Sequence, residues 1–295
     1  MARRLYVGSR KGGDGKTTVA RTVAERFCRD MKVLLVDFDD SASLSRRYLL
    51  MERGANHEYV PPVHPDYDET LPLEARQPKR PSSADIFFAD RVVCSYTIYE
   101  FAGGRGLEIL PANGAELQLI RDNVDPVVER RCQDVVREWF LGDEVNSEFD
   151  LIVFDAGPAL TSLMRGCLRA ATHVLIPVTP EGQPVELLEQ MLGSWSQANA
   201  SRPEDDQAEL IGILPNNYRK AIPLHRQYLK QLRTNPVLRP YVAPFEVPSL
   251  QGFMERDVYG LAPESVFKLK PSDRTRRAAE ELGDWVSRKL FGRVV

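Results

Sequence analysis

The chain has 295 residues, of which 43% are hydrophobic and 27% are charged, and its formal net charge is −3. This length allows one large α/β domain or two small ones, and the composition is ordinary for a soluble globular protein. A net negative charge provides no global attraction to nucleic acid, so any contact with DNA requires a local basic patch.

The four cysteines are far apart and form no CxxC pair. This argues against a disulfide framework, a structural zinc site or a bridging iron–sulfur cluster, and for reduced thiols in the cytosol. The N-terminal residues lack the long apolar segment of a signal peptide, and no apolar run approaches the roughly 18 residues of a membrane span. We therefore expect a cytoplasmic protein.

Six short apolar runs rich in β-branched residues predict strands that are buried on both faces. These runs are residues 5–7, 33–36, 107–110, 151–154, 174–178 and 210–214. Helical patterns lie between and after them, at residues 16–29, 114–140, 184–198, 224–233 and 272–290. The alternation predicts an α/β fold with a mostly parallel, twisted sheet and helices on both faces.

Residues 54–83 interrupt this alternation with prolines at positions 61, 62, 65, 72, 78 and 81. Prolines at this density exclude both a helix and a central strand. We interpret the segment as a surface excursion inserted after the second strand–helix unit. The later strands are needed to complete the sheet, so we expect residues 1–295 to form a single domain.

The first predicted strand leads into the sequence SRKGGDGKTT, residues 9–18, and then into a helix. Glycines let the backbone curl so that several N–H groups point inward, and the helix adds its positive N-terminal end. In this context Lys16 would reach the β- and γ-phosphates of a nucleotide, and the Thr17 hydroxyl would ligate Mg²⁺. The loop differs from the common P-loop because Arg10 takes the place of its first glycine and a second lysine, Lys11, follows.

Acidic residues follow two of the predicted strands. Alternation points Asp37 and Asp39 the same way, towards the crevice beyond the carboxyl ends of a parallel sheet. Asp155 follows four apolar residues, which is a Walker-B pattern for holding Mg²⁺ through a water. A helix N-cap or a solvated turn is the alternative for Asp39, and a capping role is the alternative for Asp155.

The string KGGDGKTT resembles the deviant Walker A motif of the ParA/MinD superfamily, and the chain resembles the ParA family of DNA-partitioning ATPases within it. The resemblance implies a P-loop NTPase that hydrolyses ATP with Mg²⁺ and forms an ATP-sandwich homodimer, in which Lys11 reaches the partner's nucleotide. The segment around Asp39 resembles the family's DxDPQ motif, with Asp40-Ser41 in place of Pro-Gln. By that match Asp39 serves the attacking water, and Asp37 acts near Mg²⁺ through water. Gly157 departs from the family's DxPP pattern after the Walker-B strand.

The resemblance also indicates which residues contact the nucleotide. Asn216, at the end of the last predicted strand, would lie by the adenine because an amide can pair with donor and acceptor edges; a turn-forming asparagine is the alternative. The predicted nucleotide-binding residues are Lys11, Gly12, Gly13, Asp14, Gly15, Lys16, Thr17, Thr18 and Asn216.

Residues 210–245 contain no Asp or Glu but several bases, which favours a phosphate-backbone footprint over an ordinary solvated helix face. A second basic cluster lies at residues 268–277. The DNA-binding candidates are Arg219, Lys220, Arg226, Lys230, Arg233, Lys268, Lys270, Arg274, Arg276 and Arg277. The resemblance implies non-specific DNA binding by the ATP-bound dimer, a nucleoid-associated location and a ParB-like, centromere-binding partner.

Two alternatives remain open at the level of sequence. A MinD-like or cargo-positioning relative would share these motifs, and residues 285–295 mix aromatics, aliphatics and bases as a membrane anchor does. We favour a last helix that packs Trp285 and Leu290 on the sheet, which makes membrane binding the lesser expectation. A scaffold that binds ATP without hydrolysing it is the other alternative.

Overall fold

The computed structural model describes residues 1–123, 125–181, 185–256 and 264–295. Seven strands form the main sheet in the order β5-β6-β2-β7-β1-β8-β9, and a two-stranded ribbon pairs β3 with β4. The strands are β1 Arg3–Val7, β2 Lys32–Phe38, β3 Glu52–Arg53, β4 Tyr59–Val60, β5 Tyr96–Phe101, β6 Arg105–Leu110, β7 Leu151–Ala156, β8 His173–Val178 and β9 Glu209–Pro215.

The six predicted strands correspond to β1, β2, β6, β7, β8 and β9, and all pair in parallel. Strand β5, which was not predicted, adds to β6 in the antiparallel direction. Strand β1 lies between β7 and β8, and β2 lies on the other side of β7. The predicted mostly parallel sheet is therefore confirmed, and the carboxyl ends of β2, β7 and β1 meet at the centre of one sheet edge.

Helices cover both faces of this sheet. They are α1 Lys16–Phe27, α2 Ser45–Tyr48, α3 Gly114–Arg121, α4 Pro126–Leu141, α5 Asp143–Glu148, α6 Ser162–Ala170, α7 Val185–Ala200, α8 Pro223–Thr234, α9 Gln251–Glu255 and α10 Arg274–Phe291. On one face α1 packs on α10, and on the other α4 packs on α6. Two separate clusters of buried apolar side chains result, one against each face of the sheet.

The helix predicted over residues 114–140 is wrong as a single element, because the chain forms α3 and α4 there. The Asp125 side chain caps α4 by accepting hydrogen bonds from the amides of Val127 and Val128, at 2.8 and 3.2 Å. Pro126 occupies the first turn of α4, where its missing N–H costs nothing. Helix α6 was not predicted, and the predicted helix start at Pro184 lies outside the described residues.

The proline-rich segment runs over the surface and is tied to the sheet edge. The Tyr96 hydroxyl donates to the Pro62 carbonyl at 2.8 Å, and His64 Nε2 lies 3.0 Å from the Ser95 carbonyl oxygen. At the end of this segment the Ser83 hydroxyl donates to the Asp37 carbonyl at 2.6 Å, inside the core. These contacts join the segment to β5 and to the base of the acidic loop, which we define as residues 39–44 between β2 and α2.

Gly8 has no side chain, and the ring of Tyr6 fills the space where a Cβ at position 8 would lie. The Tyr6 ring is fully buried and lies over Gly8, so a Cβ at position 8 would overlap it. We expect Gly8→Ala to lower the free energy of unfolding by about 1–3 kcal/mol, because the packed ring cannot move aside. Urea unfolding would measure this change. Gly12→Ala is the matched control, since a Cβ there meets nothing within 4 Å; equal losses in the two variants would contradict the prediction.

Candidate functional site

A pocket of about 500 Å³ opens where the loops after β1, β2 and β9 come together. The phosphate loop, Asp39 and Asn216 all line it, so most of the predicted site residues do meet in space. Its lining also includes residues that the sequence did not single out: Ser43, Arg47, Pro158, Thr179, Glu181, Val247, Ser249, Leu250, Phe253, Met254 and Leu282.

The backbone of the phosphate loop requires glycine at two positions. Gly13 and Gly15 have φ angles of 89° and 77°, in the left-handed region that side chains disfavour. At Gly15 a Cβ would also overlap the amide nitrogen of Asn216. Gly15 is the N-cap residue of α1, so the loop leads directly into the N-terminus of that helix. A glycine-rich loop followed at once by a helix N-terminus is the arrangement that a phosphate site requires.

The two lysines of the loop have different environments. Lys16 is buried in the pocket, where its ammonium donates to the Lys11 carbonyl at 3.1 Å. The Lys11 ammonium is half-exposed, and across residues 1–123, 125–181, 185–256 and 264–295 it forms no ion pair or hydrogen bond. The two lysines of the loop thus differ in burial and in bonding, and their roles towards a nucleotide stay predictions.

Asp14 and Asn216 fasten the loop to the sheet. The Asp14 carboxylate is buried and accepts from the Thr179 amide at 3.0 Å, beyond the end of β8. Burial raises the pKa of the Asp14 carboxyl. Asn216 donates from Nδ2 to the Asp14 carbonyl at 2.8 Å. The Asp14 side chain thus anchors the phosphate loop to the residue that follows β8. The adenine contact of Asn216 stays a prediction.

Behind the loop lies a buried acidic pair. Asp37 and Asp155 are register neighbours on β2 and β7. Asp155 Oδ2 accepts from the Thr17 hydroxyl at 2.6 Å. Asp37 accepts from the Asp39 amide at 3.0 Å and from both the amide and the hydroxyl of Ser45, at 2.8 and 2.7 Å. Asp155 therefore faces the first turn of α1, whereas Asp37 is engaged in shaping the acidic loop.

Burial raises the pKa of both carboxyls, and the charge of Asp155 raises that of Asp37 further. Two adjacent buried carboxylates are stabilised by a cation, and the Thr17 hydroxyl beside Asp155 provides the oxygen ligands that Mg²⁺ prefers. In the described part of the chain no three His, Cys, Asp or Glu side chains form a metal site. The residues therefore fit Mg²⁺: Thr17 and Asp155 would hold the ion, and it would supply positive charge beside the phosphates of a nucleotide.

The raised pKa values predict a pH-dependent stability. Between 3.8 and about 8 Asp37 holds a proton in the folded chain but not in the unfolded one, so unfolding becomes easier as pH rises through that range. Burial lowers the pKa of His173 from 6.5 to about 4. Between these two pH values His173 is neutral in the folded chain but protonated in the unfolded one, so its contribution to stability rises with pH. Asp155→Asn removes one of these carboxyls and its charge on Asp37, so between pH 5 and 8 the free energy of unfolding should fall less steeply in this variant than in the original protein, as measured by urea unfolding without nucleotide. Parallel pH profiles would contradict this.

Asp39 lines the pocket and lies just beyond the end of β2. Its Oδ1 accepts from the Ser41 amide at 2.9 Å, and its carbonyl accepts from the Ala42 amide at 2.8 Å. Asp40, which replaces the family's proline, forms an ion pair with Arg121 of α3. The departure from the family motif thus leaves Asp39 in the pocket and brings a new ion pair into the loop.

The first group of DNA-binding candidates is spread around α8. Arg226, Lys230 and Arg233 are exposed on one stripe of the helix, at spacings of four and three residues. Arg233 is partly neutralised by Glu246 at 2.7 Å. Lys220 is exposed beyond the end of β9, whereas Arg219 lies at the pocket itself and donates to the Ser249 hydroxyl at 3.3 Å.

The second group surrounds the start of α10. Two of its members have acidic partners, Lys268 with Glu264 at 3.4 Å and Arg276 with Glu280 at 2.7 Å. Within the described ranges the other three form no ion pair and are exposed; they are Lys270, Arg274 and Arg277. The free positive charge of this group is therefore smaller than its composition indicates.

The phosphate loop joins β1 to α1, and a buried carboxylate of the adjacent strand β7 accepts a hydrogen bond from the threonine of that loop. This arrangement defines a P-loop nucleoside-triphosphate-binding protein. Residues 2–204 match the model of an AAA domain family, AAA_31. The chain belongs to this family of P-loop ATPases, and the predicted ParA-type relationship is confirmed.

Two curated relatives are similar over most of their length. The chromosome-partitioning ATPase Soj of Thermus thermophilus is 27% identical over 235 residues, which cover 79% of this chain and 76% of the relative. The chromosome partitioning protein ParA of Myxococcus xanthus is 24% identical over 242 residues, covering 79% and 71%.

Several solved structures share the fold. An ATP complex of McdA from Cyanothece has a TM-score of 0.70 at 16% identity, with 97% of this chain and 96% of that chain covered. A plasmid partition protein of Borrelia burgdorferi bound to AMPPNP has 0.69 at 18%, covering 98% and 100%. A cobyrinic acid a,c-diamide synthase of Mycobacterium smegmatis with ADP and magnesium has 0.67 at 22%, covering 100% and 98%.

Proposed function

We propose that the chain is a DNA-segregation ATPase that moves a plasmid or chromosome region. In this proposal two copies dimerise around ATP, bind DNA without sequence preference, and leave it after hydrolysis that a ParB-like partner stimulates. The relatives named Soj and ParA, and the plasmid partition protein with the same fold, support this class of cargo. The cytoplasm, in association with the nucleoid, is the location that follows from it.

The site supplies the parts of a phosphoryl-transfer reaction. Lys16 and the loop amides bind the phosphates, and Thr17 with Asp155 hold Mg²⁺, which neutralises charge on the phosphate oxygens when bound. Asp39, whose carboxylate lines the pocket, positions the attacking water. Pre-arranged groups of this kind lower the barrier mainly through orientation and electrostatics.

The contrast between the two loop lysines carries the proposal. Lys16 is buried in its own pocket, whereas the Lys11 ammonium is without an ion pair among the described residues. A second cation at the loop's start serves catalysis when it reaches the nucleotide of a facing subunit. ATP then becomes part of the dimer interface, and dimerisation depends on the nucleotide.

DNA binding in this proposal rests on the α8 stripe. Arg226 and Lys230 are exposed on a helix without acidic residues, so they can approach a phosphate backbone. Two facing subunits double the number of phosphate contacts. Because DNA affinity and its salt dependence both grow with the number of phosphate contacts, ATP-driven dimerisation would control DNA binding.

The second candidate is a MinD-like or cargo-positioning ATPase that acts on a membrane or a protein assembly. Trp285 and Leu290 pack in the apolar cluster beside α1, and the Val295 carbonyl accepts from Arg26 at 2.8 Å. Among the described helices none is long and apolar enough to span a bilayer. The packing of these two side chains favours the structural role of the tail over a membrane anchor.

The deciding experiment measures binding to a random-sequence DNA duplex without nucleotide, with ADP and with ATP, beside the molecular mass in each state. We expect ATP-dependent dimers and ATP-dependent, salt-sensitive DNA binding. The charge-reversed variant Lys230→Glu should weaken DNA binding, whereas Arg131→Glu, on the exposed face of α4, is its control. Dimers that form with ATP and do not bind DNA would reject the segregation mechanism and direct the next test to liposomes and protein cargo.

A further inference from the structure

Asp40 is held by a helix that lies far along the chain. Arg121, the last residue of α3, forms an ion pair with Asp40 and also bonds to Asp122 at 2.9 Å. The other end of α3 approaches the same residue, because a Cβ at Gly114 would lie 2.7 Å from the Asp40 carbonyl oxygen. Helix α3 thus contacts the residue next to Asp39 from both of its ends.

The acidic loop is held at both of its ends, because Asp37 accepts hydrogen bonds from the amides of Asp39 and Ser45. Short hydrogen bonds join Asp39 to Ser41 and Ala42, and Ala42 has a φ of 52°, which costs energy for a residue other than glycine. Aspartate at position 40 lacks the fixed φ of the proline in the family pattern. At its middle, the shape of the loop therefore depends also on contacts with other elements.

Arg121 also compensates charge. Asp40 is half-buried and directly follows Asp39, which lines the pocket; burial and the charge of Asp39 both raise the pKa of the Asp40 carboxyl. Without the Arg121 cation, repulsion between the two carboxylates would favour movement of Asp40 away from Asp39. Movement of Asp40 would carry the backbone of its neighbour with it.

From these contacts we infer that Arg121 is a positioning residue for ATP hydrolysis: its ion pair with Asp40 holds the loop that aims Asp39 at the attacking water. The inference rests on the proposed role of Asp39. It extends the site to a helix surface about 80 residues away along the chain, since positions 40 and 121 are 81 apart. No motif of the phosphate loop or of the Walker-B strand includes this arginine.

Steady-state turnover of the full chain tests the inference. Arg121→Ala should lower kcat about 10-fold, as small displacements of a catalytic group do, while ATP affinity stays unchanged. Asp40→Ala should have a similar effect, and the double variant should be no worse than either single one, because both remove the same interaction. Arg131→Ala, which breaks the exposed 3.0 Å pair with Glu138, is the matched control. Normal kcat in Arg121→Ala, or additive losses, would overturn the inference.

Amide hydrogen exchange provides a readout that does not need turnover. In Arg121→Ala the amides of Ser41 and Ala42 should exchange faster than in the Arg131→Ala control, and Arg121→Lys should be intermediate if the alanine variant folds poorly. Unchanged exchange in both Arg121 variants would overturn the positioning role even if the protein hydrolysed no ATP. Absence of turnover in the original protein would instead reject the proposed function.

Discussion

Replacement of Lys16 by alanine is expected to abolish measurable ATP binding. Lys16 is buried at the first turn of α1 and lines the pocket, where the β- and γ-phosphates of a nucleotide are expected. Hydrogen bonds to charged groups contribute about 1.5–3 kcal/mol each, so losing them should weaken binding at least about 100-fold. Titration with a fluorescent ATP analogue, in the presence of Mg²⁺, measures the effect.

Two lysine variants make this test specific. Lys289→Ala removes an exposed lysine of α10 and should leave ATP binding unchanged. Lys11→Ala should also keep binding, because the Lys11 side chain makes no contact with the pocket's own acidic residues within the described ranges, but it should lose ATP-dependent dimerisation. ATP binding by Lys16→Ala at the original affinity would reject the assignment of the loop.

Replacement of Asp39 by alanine should stop hydrolysis while the ATP-bound dimer accumulates. Asp39 lines the pocket, and among the residues that the structure describes its carboxylate forms no hydrogen bond or ion pair with the phosphate loop, so we expect nucleotide binding not to depend on it. Loss of a group that orients or activates the water typically costs about 100- to 10,000-fold in rate. Phosphate release and molecular mass with ATP, measured on the same sample, give both parts of the prediction.

Asparagine at position 39 separates the chemistry of the carboxylate from the shape of the loop. Asp39→Asn keeps an oxygen that can accept from the Ser41 amide, which now lies 2.9 Å from the carboxylate. Equal losses of turnover in the alanine and asparagine variants would show that the charge is required. A monomer in the presence of ATP, in either variant, would be incompatible with the role assigned to Asp39.

Local sequence was sufficient for the phosphate site and for most of the sheet. Buried parallel strands are continuous apolar runs, so six of the seven main strands were recognisable. A glycine-rich loop between a strand and a helix has few other uses, which is why residues 9–18 predicted a nucleotide site. The start of α4 also has a local signal, since Asp125 is a capping residue and Pro126 favours the first turn of a helix.

What the sequence determined by itself was therefore the P-loop ATPase class, its phosphate loop and the three candidate carboxylates, because each of these depends on neighbours within a few residues. The order of strands, which sets Asp37 beside Asp155, was decided only by the tertiary structure. The same is true of Ser45 beneath Asp37 and of Arg121 against Asp40. Contacts between distant residues form through the packing of whole elements, and no local pattern records which side chains will meet.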